Sequence, residues 1–127
     1  MIAVDTSALM AIALDEPEAG ACIKALEAEE AVLISAGTIA EALIVAAGKS
    51  VGRKFADVID GIGFEIVPVT RDTAKRVADA YMRWGKGNHR AKLNFGDCFA
   101  YELARERACP LLYVGKDFAK TDIKSVL

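Results

Sequence analysis

Short apolar runs alternate with longer helix-forming stretches along this chain, and every run stops at a polar turn. Ile2-Ala3-Val4 stops at Asp5-Thr6-Ser7, and Ala31-Val32-Leu33-Ile34 stops at Ser35-Ala36-Gly37-Thr38. Glu65-Ile66-Val67-Pro68-Val69 gives way to Thr70, and Leu111-Leu112-Tyr113-Val114 to Gly115-Lys116-Asp117. Apolar runs this short, bounded by turn residues, read as buried strands. Strands alternating with helices imply a mainly parallel sheet, and right-handed crossovers place helices on both its faces. The expected architecture is a three-layer α/β/α sandwich with four to five strands, Val126-Leu127 being a candidate short last one.

The helical stretches have their own signals. Ala8 to Leu14, Ala19 to Glu29 and Ile39 to Ala47 have helix-forming composition, while Phe55, Val58, Ile59 and Ile62 recur at helical spacing within Val51 to Ile62. Thr70 is placed to cap a helix whose apolar stripe reads Ala74, Val77, Ala78, Tyr81 and Met82, and Asn94 to cap a later one. No repeat, linker or low-complexity segment interrupts the pattern, so residues 1–127 read as one domain. A hydrophobic content of 54% suits a sheet covered on both faces. With neither a charged leader before a long apolar segment nor a run of membrane-spanning length, the expectation is a cytoplasmic protein with no membrane partner.

Four acids stand at the breaks in this pattern. Asp5 lies at a strand-to-helix switch, Glu41 in the first turn of the Ile39 helix, Asp97 three residues after Asn94, and Asp117 just past the last long apolar run. Each has a local explanation: Thr38 with Glu41 reads as a capping box, Asn94 with Asp97 as a looser one, and Asp5 and Asp117 as cap or turn residues. Jointly they invite another. In parallel sheets the crevice beyond the carboxyl ends of the strands is the usual ligand site. Four carboxylates aimed into one crevice repel one another unless protonated or bound to cations, and hard divalent ions are the natural counter-charge.

Val4-Asp5-Thr6-Ser7-Ala8-Leu9, Ala40-Glu41-Ala42, Phe95-Gly96-Asp97-Cys98-Phe99-Ala100-Tyr101 and Leu111 to Phe118 together resemble the PIN domain, specifically the VapC-type toxin ribonucleases of bacterial toxin–antitoxin pairs. The resemblance spans essentially the whole chain. It implies a Mg²⁺- or Mn²⁺-dependent endoribonuclease, neutralised by a small VapB-like antitoxin and often a homodimer, that leaves 5′-phosphate and 3′-hydroxyl ends. Asp5, Glu41 and Asp97 match the family's acidic positions. Asp117 matches the fourth, although Lys116 precedes it where the family often has an acidic or polar residue, placing a positive charge at the rim. Thr6 and Ser7 are accessory candidates, to orient Asp5 or bond a metal-held water, with helix capping the favoured role for Thr6.

Charge permits RNA without demanding it. With 16 basic and 18 acidic residues the net charge is −2. Yet no acid occurs between Asp79 and Asp97, and Lys86, Arg90 and Lys92 gather in the Gly-containing loop leading to the Asp97 helix. Such a loop beside an acidic site suits phosphate-backbone contact, although solvated basic loops are common. Tyr81 and Trp84 have the chemistry to stack bases, but packing is the favoured role for residues in a helical stripe.

Competing chemistries have less support. The three cysteines form no CxxC pair and read as thiols in a reducing compartment, and a single histidine, His89, gives neither a zinc cluster nor a Cys-His pair. A phosphoacceptor receiver domain is the main alternative, with Asp5 binding Mg²⁺ and Lys116 contacting the phosphoryl group. It requires an aspartate at the tip of the central strand, where this chain has Thr70. A catalytically silent interaction module is the third reading.

Overall fold

In the computed structural model, which describes residues 1–127, four strands form one parallel sheet in the order β3-β2-β1-β4. The strands are β1 (Ile2–Val4), β2 (Val32–Ser35), β3 (Glu65–Val67) and β4 (Leu111–Leu112). The helices are α1 (Thr6–Ala13), α2 (Ala19–Glu27), α3 (Ala36–Gly48), α4 (Gly52–Ile62), α5 (Arg71–Trp84) and α6 (Phe95–Glu106), followed by a 3₁₀ turn at Phe118–Lys120. Ala3 is paired with both Leu33 and Leu111, so β1 is central and its carboxyl end opens between two neighbours.

Alternation along the strands divides the core. Ile2, Val4, Val32, Ile34 and Leu112 face one layer with α1, α2, α3 and α4, whereas Ala3, Leu33 and Leu111 face the other with α5 and α6. Each fully buried leucine or isoleucine contributes roughly 1.5–3 kcal/mol from removal of apolar surface from water. Edge strand β3 is the exception, with Ile66 55% exposed. Pro68, which has no N–H to donate, follows immediately and ends the strand short of Val69.

Three local expectations are corrected. α3 begins directly after β2, because Ser35 is its N-cap and accepts a hydrogen bond from Gly37 N at 3.2 Å. Thr38 and Glu41 therefore form no capping box, and Glu41 falls in the second turn. On α5 the buried positions are Thr73, Val77, Ala80 and Trp84, while Met82 is exposed. Trp84 sets that rotation: its ring enters the core and its Nε1 donates to Tyr101 Oη on α6 at 2.9 Å. Finally, the carboxyl-terminal tail makes only an isolated bridge, Ser125 to Leu111, rather than a fifth strand.

Candidate active site

Asp5 leaves β1 in an extended conformation and caps α1. Its Oδ2 accepts from Ser7 N at 3.0 Å and from Ser7 Oγ at 2.7 Å, and Ser7 Oγ in turn accepts from Val114 N at 3.0 Å. The carboxylate is thus fixed to α1 and, through Ser7, to the chain leaving β4. Asp5 is 3% exposed, and its Oδ1 has no hydrogen-bond partner. Burial pushes its carboxyl up to about 6; the Ser7 hydrogen bonds oppose that shift and the charge of Glu41 adds to it.

Glu41 reaches the same crevice from α3. Its Oε1 accepts from Thr6 Oγ1 at 2.7 Å, and its Oε2 lies against Gly96 in the first turn of α6. The contact between these helices is reciprocal. A Cβ on Gly96 would overlap the Glu41 carboxylate, and one on Gly37, in the first turn of α3, would overlap the Phe99 ring. Each helix has a bare backbone where the other inserts a side chain.

Asp97 occupies the first turn of α6 and closes a capping box. Its Oδ2 accepts from Asn94 N at 3.0 Å, and Asn94 Oδ1 accepts from Asp97 N at 2.8 Å. Burial pushes its carboxyl up to about 7; the Asn94 N–H opposes this, while the charges of Asp5, Asp117 and Glu41 add to it. All four acids therefore act within one electrostatic neighbourhood. Asp117 is exposed at the start of the 3₁₀ turn and makes no side-chain cap hydrogen bond.

Capping and metal binding are compatible here because capping engages only Oδ2 of Asp5 and of Asp97. Every ion pair in the protein lies elsewhere, and none reaches Asp5, Glu41, Asp97 or Asp117. No three side chains enclose an ion directly. A hard divalent ion that keeps several of its waters takes few protein oxygens, so it does not require a closed cluster of three side chains. The orphaned Oδ1 of a buried carboxylate, three further acids coupled to one another and to it by charge, and no ion pair to any of the four together fit a divalent metal.

A family profile described as PIN domain matches residues 2–124. The chain belongs to the PIN-domain family of VapC ribonucleases. It is 42% identical over 126 residues to ribonuclease VapC30 of Mycobacterium tuberculosis, covering 97% of this chain and 96% of that one. Ribonuclease VapC of Mycolicibacterium smegmatis is 39% identical, covering 97% of this chain and 98% of that one. Among solved structures, M. tuberculosis VapC20, described as a sarcin-ricin loop cleaving toxin, superposes with a TM-score of 0.80 at 16% identity, covering 99% of this chain and 98% of that one. A toxin–antitoxin complex from Klebsiella pneumoniae gives a TM-score of 0.69 at 21% identity, covering 96% and 93%. At those identities the two structures establish the shared fold.

The accessory residues of this PIN domain divide by role. Ser7 donates to Asp5, whereas Thr6 is not the cap of α1: it is the first helical residue, and its hydroxyl is directed to Glu41. Cys98, beside Asp97, is fully buried, and burial and the Asp97 charge push its thiol up to about 12, away from the thiolate that a nucleophile needs. Cys22, Cys98 and Cys109 are all free thiols.

Backbone hydrogen bonds frame the basic loop. Lys86 N donates to Leu93 O at 2.9 Å and Leu93 N to Trp84 O at 3.1 Å, which closes its neck. His89 packs edge-on against Trp84, with ring centroids 4.7 Å apart, and its Nδ1 accepts from Ala91 N at 2.9 Å. Lys86, Arg90 and Lys92 remain exposed on this frame, which leads through Asn94 into the Asp97 turn, and Lys116 is exposed next to Asp117. Trp84 is buried and Tyr81 half-buried, in keeping with packing rather than base stacking. Gly96 was not singled out by sequence reasoning; the available signal was a glycine in a helical first turn with no turn to make.

Proposed function

We propose that this VapC-family PIN domain is a toxin that hydrolyses RNA phosphodiester bonds with Mg²⁺ or Mn²⁺ held by Asp5, Glu41, Asp97 and Asp117. The observation that carries this reading is Asp5: buried, with an orphaned oxygen, among three other acids, none of them in an ion pair. Ser7 keeps Asp5 facing the crevice, and Asn94 does the same for Asp97 through the capping box. When bound, the metal supplies Lewis acidity, which lowers the pKa of water and screens the phosphate charge. Lys86, Arg90 and Lys92 hold the RNA backbone beside the acids, with Lys116 exposed next to Asp117.

Neutralising Lys86, Arg90 and Lys92 together should weaken RNA binding and flatten its salt dependence. Three lost phosphate contacts on single-stranded RNA change the log–log slope by about 2. Binding isotherms at several salt concentrations provide the check, and an unchanged slope removes the loop from the RNA path.

A small antitoxin is the proposed partner, covering the acids with an arginine that pairs with them. The groove lined by Ala40, Ile44, Val45, Phe95 and Phe99 borders Glu41 and offers such a partner an apolar anchor. The same reading includes a homodimer. Expression of the chain alone should slow growth, co-expression of a small protein encoded beside it should relieve this, and mapped RNA ends should carry 5′-phosphates. Harmless expression of folded, metal-loaded protein contradicts the toxin assignment.

The receiver alternative loses its acceptor. β3 is the edge strand, and Thr70, where the aspartate should stand, caps α5 by accepting from Thr73 N at 3.2 Å.

A further inference from the structure

We propose that Gly96 is a positioning residue for Glu41, leaving an open face on α6 against which the carboxylate is clamped by the Thr6 hydroxyl. The inference rests on the metal-site reading above and identifies what sets the location of its second acid. Glycine weakens a helix relative to alanine, so its place in the first turn of α6 needs a reason. Backbone conformation does not provide one, because Gly96 is absent from the positive-φ residues of this chain. Space does: a Cβ there would overlap Oε2 and Cδ of Glu41.

The two constraints act from opposite sides. Thr6 Oγ1 donates to Oε1 from the start of α1, and Gly96 admits Oε2 from the start of α6. Glu41 has free side-chain torsions, and without both constraints its carboxylate can swing toward solvent. A methyl group at 96 therefore displaces the acid rather than the helix, because the overlapping atoms are the flexible end of a long side chain. The clash falls on the site and leaves the fold intact.

The test compares four full-length proteins: wild type, Gly96→Ala, Glu41→Ala and the double variant. Mn²⁺ affinity is measured by calorimetry, cleavage on a labelled RNA, and the thermal midpoint in EDTA. Gly96→Ala should bind Mn²⁺ more weakly and cleave roughly 100-fold more slowly, the cost of misplacing a catalytic group by about an ångström. Its KM for RNA should be unchanged because the basic loop is untouched, and its midpoint in EDTA equal or higher. In the Glu41→Ala background the Gly96→Ala change should lower neither affinity nor residual activity, since nothing is left to displace.

Wild-type affinity and rate in Gly96→Ala would overturn the proposal, as would equal losses in both backgrounds. If Gly96→Ala fails to fold, a folded double variant supports the clash with Glu41, and an unfolded one refutes it. Should the wild type prove inert toward RNA while Gly96→Ala still weakens Mn²⁺ binding, the ribonuclease assignment fails and the positioning role stands.

Discussion

Asp5→Asn should lower RNA cleavage by more than ~100-fold, the upper end of what residues that merely orient a metal ligand contribute. The same variant, stripped of metal, should melt at the wild-type temperature or above. Asn caps helices about as well as Asp, and its carbonyl can accept both Ser7 hydrogen bonds now made by Oδ2. The amide then takes the place of the orphaned Oδ1, putting a donor where a carboxylate oxygen stood among the other acids. At neutral pH the wild-type protein keeps ionised a buried carboxyl whose pKa is pushed up to about 6. That shift corresponds to a penalty on the order of 3 kcal/mol at most, and each 1 kcal/mol recovered raises the midpoint of a domain this size by about 4 °C. Activity and melting in EDTA are measured on one preparation. Retained cleavage would make Asp5 a cap and nothing more; lost cleavage with a clearly lowered midpoint would be a folding defect.

Without metal, stability should fall as pH rises from about 4 to about 7. Asp5 and Asp97 have folded-state values of about 6 and about 7 against 3.8 for the free side chain. The native state thus binds protons more tightly than the unfolded chain, and its advantage is complete below the unfolded value. Through the window the unfolded state ionises first and gains, and above pH 7 the penalty is fully present, on the order of a few kcal/mol for the coupled pair. Mn²⁺ reverses the effect at pH 7.5. At 100 times its Kd it adds about 2.7 kcal/mol, and the gain shrinks toward pH 5 as protons compete for the same oxygens. Melting curves across pH with EDTA or Mn²⁺ test this, with Asp97→Asn as the control that should flatten the metal-free profile. A wild-type midpoint insensitive to both pH and Mn²⁺ would contradict it.

What could be read from the sequence followed from period and position. Alternation in Ile2 to Val4 and Val32 to Ile34 specifies which side chains enter which layer, and the four acids are visible because they interrupt apolar runs. What could not be read depends on pairs distant in the chain. Thr38 and Glu41 have capping-box spacing, yet Ser35 caps first because α3 starts directly where β2 ends. The rotation of α5 is set by Trp84 reaching Tyr101, a partner 17 residues away. Thr6 has a capping residue's chemistry, and only the arrival of Glu41, 35 residues on, redirects its hydroxyl. Gly96 reads as an unfavourable helix residue until the carboxylate against it is seen. Local patterns carry propensity and burial; the site is made by contacts that local patterns do not encode.

The most direct measurement is cleavage of a labelled RNA by protein stripped of metal, with Mg²⁺, Mn²⁺ or Ca²⁺ added back and the product ends identified. The account predicts no cleavage in EDTA, restoration by Mg²⁺ or Mn²⁺ but poorly by the larger and more loosely coordinated Ca²⁺, and 5′-phosphate with 3′-hydroxyl ends. Full cleavage in EDTA with no residual metal, or 2′,3′-cyclic phosphate products, would contradict it.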